Sequence, residues 1–530
     1  MIAFARARTA QGVLAAHAVM LLLAGHGPAA AASGEWPAAV ASALEQADGN
    51  RPALEAALAH YRDAGDSLGL RAAQYLVANI AGQAYVRFGL FDSSGATVDF
   101  DVLAYPDYEA LVASFDSLEA LHGVLHYERI ALDLDIHTLP ASLLIENVDC
   151  ALRAWRERPW APGLPFEIFC AYVLPYRGSN EPLESWRPHF LHRYADLPDT
   201  MRDPRDPLEA ARLINRDLMS WFRFDPRFYH HPTDQGLSEM LANRIGRCED
   251  MTNLTIYAMR ANALPVTSDY TPFWADANNN HAWNAILDAQ GNATIFMGAE
   301  AQPGEYALAN RAAKVYRKTF AHQPGNLAFR KTEDEKVPPW LAGKNYLDVT
   351  AFYGPVSDVT VVLDPPVPDT ARFAYLCVFN TGEWQPIHWA AIAAGRAVFT
   401  AMGRGVAYLP AYYHDEKVAP AAPAFILDES GEVHPLLARP EHSVRLSLIS
   451  TTRLRRVEST DGVHATALSP GQSYDLYYWS DRWVLAGQAT AGPEPLRFDA
   501  PSGALYWLVE KDGRKEERIF SYAGGSQVWW

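Results

Sequence analysis

The chain has 530 residues, 49% of them hydrophobic and 20% charged, so it fills several cores and is neither disordered, collagen-like nor of low complexity. At about 150 residues per domain, roughly three or four domains are expected. Acidic residues exceed basic ones by 62 to 45, a net charge of −17, which repels phosphate backbones and anionic lipid surfaces and argues against a nucleic-acid partner.

In chain order, Arg6 and Arg8 precede an apolar run over residues 12–25, and small residues 29–32 follow Pro28. Basic, apolar and small segments in that order predict a signal peptide over residues 1–32. The run is short of the ~20 residues that span a bilayer. No cysteine lies near the cleavage point to take a lipid, and no later stretch is apolar enough to span. The expectation is a secreted or periplasmic protein with no membrane insertion after cleavage.

Residues 33–224 read as helical. Leu54, Ala57, Leu58 and Tyr61 fall at i, i+3, i+4 and i+7, and Leu144, Val148, Ala151 and Trp155 make a second such stripe, predicting a bundle or solenoid of short helices. Residues 225–335 mix a strong helix with a hairpin. Beyond them the texture turns to short alternating runs separated by Pro-Pro, Asn-Thr-Gly and Asp-Glu-Ser-Gly turns, which predicts two β units, a sandwich-like one over 336–438 and a C-terminal one over 439–530. The fold class is α+β multidomain.

Cys248, in Gly246-Arg247-Cys248-Glu249-Asp250, is the cysteine that stands out. Met251, Leu254, Ala258 and Ala261 take the spacing of a buried helix stripe and Pro265 ends the element, so Cys248 lies in the first turn, where unpaired N–H groups and the helix dipole favour a thiolate. Glu249 and Asp250 oppose this by like-charge repulsion, and Arg244 and Arg247 offset them. Cys377 alternates with Phe373, Tyr375 and Phe379 as a core position does. Cys150 lies beside its helix stripe and Cys170 in an apolar run, and a Cys150–Cys170 disulfide stays open in an exported protein.

A thiolate needs a base. Asparagines before His281, and Trp283, Ala285 and Leu287 alternating after it, place the histidine at the start of a strand. Residues 288–292 supply a turn and 293–300 a returning strand. With a four-residue loop over 289–292, His281 faces Glu300 at a Cβ separation of ~5 Å, which would let the carboxylate hold the imidazole tautomer. Asp288 lies roughly 23 Å along the strand, too far for that role.

Together, a G-x-C at a helix start, Arg260-Ala261-Asn262-Ala263-Leu264-Pro265 and an H-x-W on a strand resemble the core of the transglutaminase-like superfamily of papain-like thiol enzymes, over residues 235–305. The resemblance implies a site with Cys248 as nucleophile, His281 as base and an acid on the strand after the histidine. The family's usual aspartate is replaced here by Glu300, displaced by a residue or two. Residues 174–187 also resemble those of secreted bacterial proteins that join a helical region, this core and β domains.

The chemistry implied is attack of the Cys248 thiolate on a peptide, protein or cell-wall amide, giving a thioester that water or an amine resolves. Hydrolysis is favoured over cross-linking by the exported context. Trp274, Trp283 and Asp269 are the expected substrate contacts around His281, with Trp274 a second oxyanion donor beside the Cys248 N–H. No cofactor and no metal are expected, because His230-His231 lacks the spacing of a zinc site. The alternative is a catalytically silent protein whose β domains bind a glycan or protein partner. Against that, the tryptophans and tyrosines of the β units sit at strand positions and read as core. Asn253-Leu254-Thr255 fits a glycosylation acceptor, but inside the cysteine helix it reads as chance.

Overall fold

The helix stripes and the alternating runs form the layers the periodicities predict. The computed structural model describes residues 36–453, 466–511, 513 and 517–530, so the signal segment 1–32 lies outside the described residues. The chain divides into two compact units, Met1–Val266 with Ala285–Glu305, and Thr267–Asn284 with Tyr306–Trp530. Among the described residues no helix is long and apolar enough to cross a membrane.

In the first unit, Leu54, Ala57, Leu58 and Tyr61 are the buried residues of helix Arg51–Asp63. Leu144, Val148 and Ala151 are buried in Ala141–Glu157. The region is not wholly helical. Strands Ala84–Phe91 and His126–Leu134 pair antiparallel, and the second of these is largely exposed, so it lacks the apolar face that marks a half-buried strand in sequence.

The segment at 174–187 is irregular, and buried arginines satisfy its carbonyls. Arg187 donates to Val173 O, Leu174 O and Arg260 O, and Arg260 donates to Tyr172 O, Arg177 O and Val266 O. A buried loop needs such donors because its backbone oxygens have lost water. These bonds fix the C-terminal turn of helix Cys248–Ala261, which is buried at every position but Glu249.

The core sheet has five strands in the order Ala293–Phe296, His281–Leu287, Val266–Thr271, Tyr316–Lys318, Tyr346–Asp348. In the second unit, an eight-stranded sheet is built from Val356–Val362 to Val433–Pro435, with the fully buried Phe373–Asn380 among its inner strands. The C-terminal β unit packs the pair Arg439–Leu448 and Leu496–Ser502 against a five-stranded sheet. Leu446, Leu448 and Phe498 of the pair share one core with Leu476, Leu508 and Phe520 of the sheet, the arrangement of a sandwich. The fold is α+β and multidomain.

The aromatic residues of the β units pack inward. Phe379 lies 5.6 Å from Trp384, 5.6 Å from Trp483 and 5.1 Å from Trp507, ring centre to ring centre. Trp384, Trp479 and Trp507 are buried, so they form a core and not an exposed platform.

Candidate active site

Cys248 opens its helix as the first-turn argument requires. Asp250, three residues from the cap, accepts the Arg247 N–H at 2.9 Å and, from its other oxygen, the Gln235 N–H at 2.9 Å. The carboxylate thereby closes the helix start in place of a serine or threonine cap. Gly246 is required here: a Cβ on it would lie 2.7 Å from the Asp250 side chain and 2.7 Å from Gln235 Nε2. Burial, and then the nearby Asp234, raise the Asp250 carboxyl to about 6. Burial works against the Arg247 cation, but Asp234, Glu249 and Asp250 together keep it protonated. Its Nη2 lies 2.8 Å from Asp234 Oδ1.

The thiol itself is 3% exposed and donates to Glu249 Oε2 at 3.0 Å. Glu249 Oε2 is 3.7 Å from Arg247 Nε. A carboxylate accepting an S–H bond favours the thiol over the thiolate, so the opposing effect foreseen for Glu249 has a direct contact behind it. Cys150, Cys170 and Cys377, like Cys248, form no disulfide. The open Cys150–Cys170 pairing is absent, and burial pushes all three of these thiols up, away from reactivity.

His281 begins strand His281–Leu287, as the alternation predicts. Its ring lies 5.9 Å from Trp274 and 5.7 Å from Trp283, and the two indoles are nearly parallel, 8° apart at 6.3 Å. Its Nε2 is 2.7 Å from the Tyr306 hydroxyl. Below this layer runs a chain of bonds. Trp283 Nε1 donates to Tyr353 Oη at 2.8 Å, Tyr353 Oη donates to Asp269 Oδ2 at 2.6 Å, and Arg317 holds both Asp269 oxygens at 2.8 Å.

Four expectations change. The hairpin loop is shorter than four residues, because Asp288 N bonds Asn292 O at 2.9 Å and Gly291 takes φ 83°, the three-residue loop with a left-handed glycine. The returning strand also stops at Phe296, so no ladder reaches Glu300. Residues 297–301 form a turn in which Ala299 has φ 56°. Asn215 pins it by accepting from Ala299 N and donating to Ala301 O, and Glu300 is exposed on it. Asp269 is fully buried and its carboxylate is committed to Arg317 and Tyr353, so it supports the aromatic layer instead of touching substrate. Trp283 is likewise fully buried and forms the floor under His281. Trp274 is 6% exposed and stacks on the imidazole.

Nothing local in the sequence marks Tyr306. It follows the hairpin with no periodic or motif signal, and only the folded chain brings its hydroxyl to the imidazole. Among the described residues no cluster of three or more His, Cys, Asp or Glu side chains is arranged to hold a metal ion. Asn253 is fully buried, so its side chain cannot carry a glycan in the folded protein.

Cys248 at the start of its buried helix and His281 at the opening of its strand belong to the α+β core of the chain. That core is transglutaminase-like: residues 195–293 match the family profile of the Transglutaminase-like superfamily. Cys248 and His281 fall inside the matched stretch, and Glu300 and Tyr306 beyond it. No curated protein matches the chain by sequence.

Proposed function

We propose that the protein is an exported thiol acyl-transfer enzyme with Cys248 as nucleophile and His281 as general base. The observation that carries this reading is the transglutaminase-like match, which takes in both residues in the required order. The Cys248 sulfur attacks an amide carbonyl while His281 takes the thiol proton. The C–N bond then breaks, His281 returns the proton to the leaving amine, and a thioester remains on Cys248. Water, activated by the same imidazole, releases the acid and restores the thiol. The backbone N–H of Cys248 at its helix start is an oxyanion donor in this scheme. Because Nε2 of His281 is bonded to Tyr306, proton exchange with the thiol is assigned to Nδ1 and the orienting partner is a phenol in place of a carboxylate.

Hydrolysis of a peptide or cell-wall amide is proposed over cross-linking, on the basis of the signal-like N-terminus. The test is incubation with a peptide library and, separately, with a labelled primary amine. Cleavage without amine incorporation is expected, and incorporation into glutamine side chains would make the protein a transferase.

A second reading is favoured by one observation. Cys248 is buried and its thiol is bonded to Glu249, which suits a core without activity and β domains that recognise a glycan or protein partner. It requires that Cys248→Ala leave the biological effect intact.

A further inference from the structure

Residues 272–280 lead into His281 and carry Trp274. Their own backbone contributes a bond from Trp274 N to Asn279 O at 3.1 Å, and Asn279 takes φ 72°, a conformation asparagine tolerates better than most residues. Arg311 bonds it twice, accepting from Ala275 N at 2.9 Å and donating its N–H to Asp276 Oδ1 at 2.8 Å, and two buried side chains from the β units hold the segment besides. Asn380, the last residue of strand Phe373–Asn380, is 2% exposed. Its Nδ2 lies 3.1 Å from Trp274 O, 3.0 Å from Ala277 O and 3.0 Å from Asn279 O, and its Oδ1 accepts from Asn279 N at 3.1 Å. One amide thus meets both backbone atoms of Asn279 and two carbonyls further back, using donor and acceptor capacity together.

Arg518, immediately before strand Ile519–Ala523 of the C-terminal sheet, is also 2% exposed. It donates through Nη2 to Ala275 O at 2.6 Å and through Nη1 to Ala277 O and Asn278 Oδ1, each at 3.3 Å. The same guanidinium bonds Phe379 O at 2.7 Å and Trp530 O at 3.1 Å. Burial pushes this cation down to about 10, with Asp276 opposing. Asp276 is itself bridged to Arg453 at 2.6 Å. A buried guanidinium is costly unless it is hydrogen-bonded, and here the carbonyls that accept from its two terminal nitrogens include those of the segment before His281.

We propose that Asn380 and Arg518 are positioning residues for His281: the two C-terminal β units fix the segment that sets the imidazole's place and its stacking on Trp274. This rests on the reading of His281 as the base for Cys248. The β units then act on the chemistry through the backbone of residues 274–279, whatever they bind besides.

The experiment is the pH dependence of Cys248 alkylation by iodoacetamide in the full chain, for wild type, His281→Ala, Asn380→Ala and Asn278→Ala, with folding checked by near-ultraviolet circular dichroism. Asn278 is half-buried on the loop side. Its loss removes one acceptor of Arg518 Nη1 and the acceptor of the Thr381 N–H without opening a β core. Wild type should react through a limb below about pH 7 that His281→Ala abolishes. Asn380→Ala should lower that limb about tenfold and Asn278→Ala about threefold, the scale of a few lost hydrogen bonds. Rates near pH ~10, where thiolate forms without a base, should stay within about twofold of wild type. A purely structural role would move both ends of the profile together. If Asn380→Ala does not fold, Asn278→Ala decides alone. A wild-type profile in a folded variant, with His281→Ala altered, overturns the positioning role. A wild-type profile in His281→Ala overturns the thiol–base reading instead.

Discussion

Replacing Tyr306 by phenylalanine removes one oxygen, 2.7 Å from His281 Nε2, and leaves the ring, whose centre is 6.4 Å from the imidazole's. The bond matters most when the imidazole is protonated, because a hydrogen bond to a charged group contributes about 1.5–3 kcal/mol against about 1 kcal/mol for a neutral pair. Each step that forms imidazolium loses the difference, about 0.5–2 kcal/mol, and should therefore slow by about 2- to 30-fold. Glu300 lies exposed on a turn beyond the strand end, so Glu300→Gln should stay within about twofold, the scale of a surface change. The assay is the burst of nitrophenolate from p-nitrophenyl acetate near neutral pH, read for Tyr306→Phe, Glu300→Gln and the double variant. A tenfold loss in Glu300→Gln with Tyr306→Phe unchanged would refute the reasoning and return the orienting role to the carboxylate.

Three further outcomes follow from the same geometry. Glu249→Gln removes the charge that holds the thiol proton, so alkylation of Cys248 at neutral pH should quicken about three- to tenfold, the residue being partly exposed and its charge screened; a slower rate would make Glu249 a base. Tyr353→Phe should cost about 1 kcal/mol of stability and Asp269→Ala about 3–5 kcal/mol, since the latter leaves Arg317 buried without its partner. A raised KM in Asp269→Ala with unchanged melting would contradict the supporting role. The Asp250 carboxyl, raised to about 6, holds its proton in the native state when the unfolded chain has released it. Stability should therefore fall by about 3 kcal/mol as pH rises from about 4 to about 6. Amide exchange in helix Cys248–Ala261 should show that slope in wild type and not in Asp250→Asn.

What was legible in the sequence is local. Helix Cys248–Ala261 and strand His281–Leu287 were marked by their own periodicity, and the glycine before the cysteine by its motif, with the collision against Asp250 explaining why it must be glycine. Where legibility ended, longer-range packing decides. One residue fewer in the loop moves the register, and the strand ends because Asn215, far earlier in the chain, pins the turn at 297–301. Asp269 looked like a polar group available to substrate because its partner Arg317 lies on another strand. The Tyr306 contact depends on the fold as a whole. The exposed ribbon strand His126–Leu134 escaped because nothing buries one of its faces.

The central claim is that Cys248 is a nucleophile served by His281. Peptide mapping of the protein after brief treatment with p-nitrophenyl acetate near neutral pH tests it most directly. The account predicts acetylation confined to Cys248, absent in Cys248→Ala and strongly reduced in His281→Ala. Acetylation scattered over surface residues, with Cys248 untouched or labelled equally in His281→Ala, would contradict it.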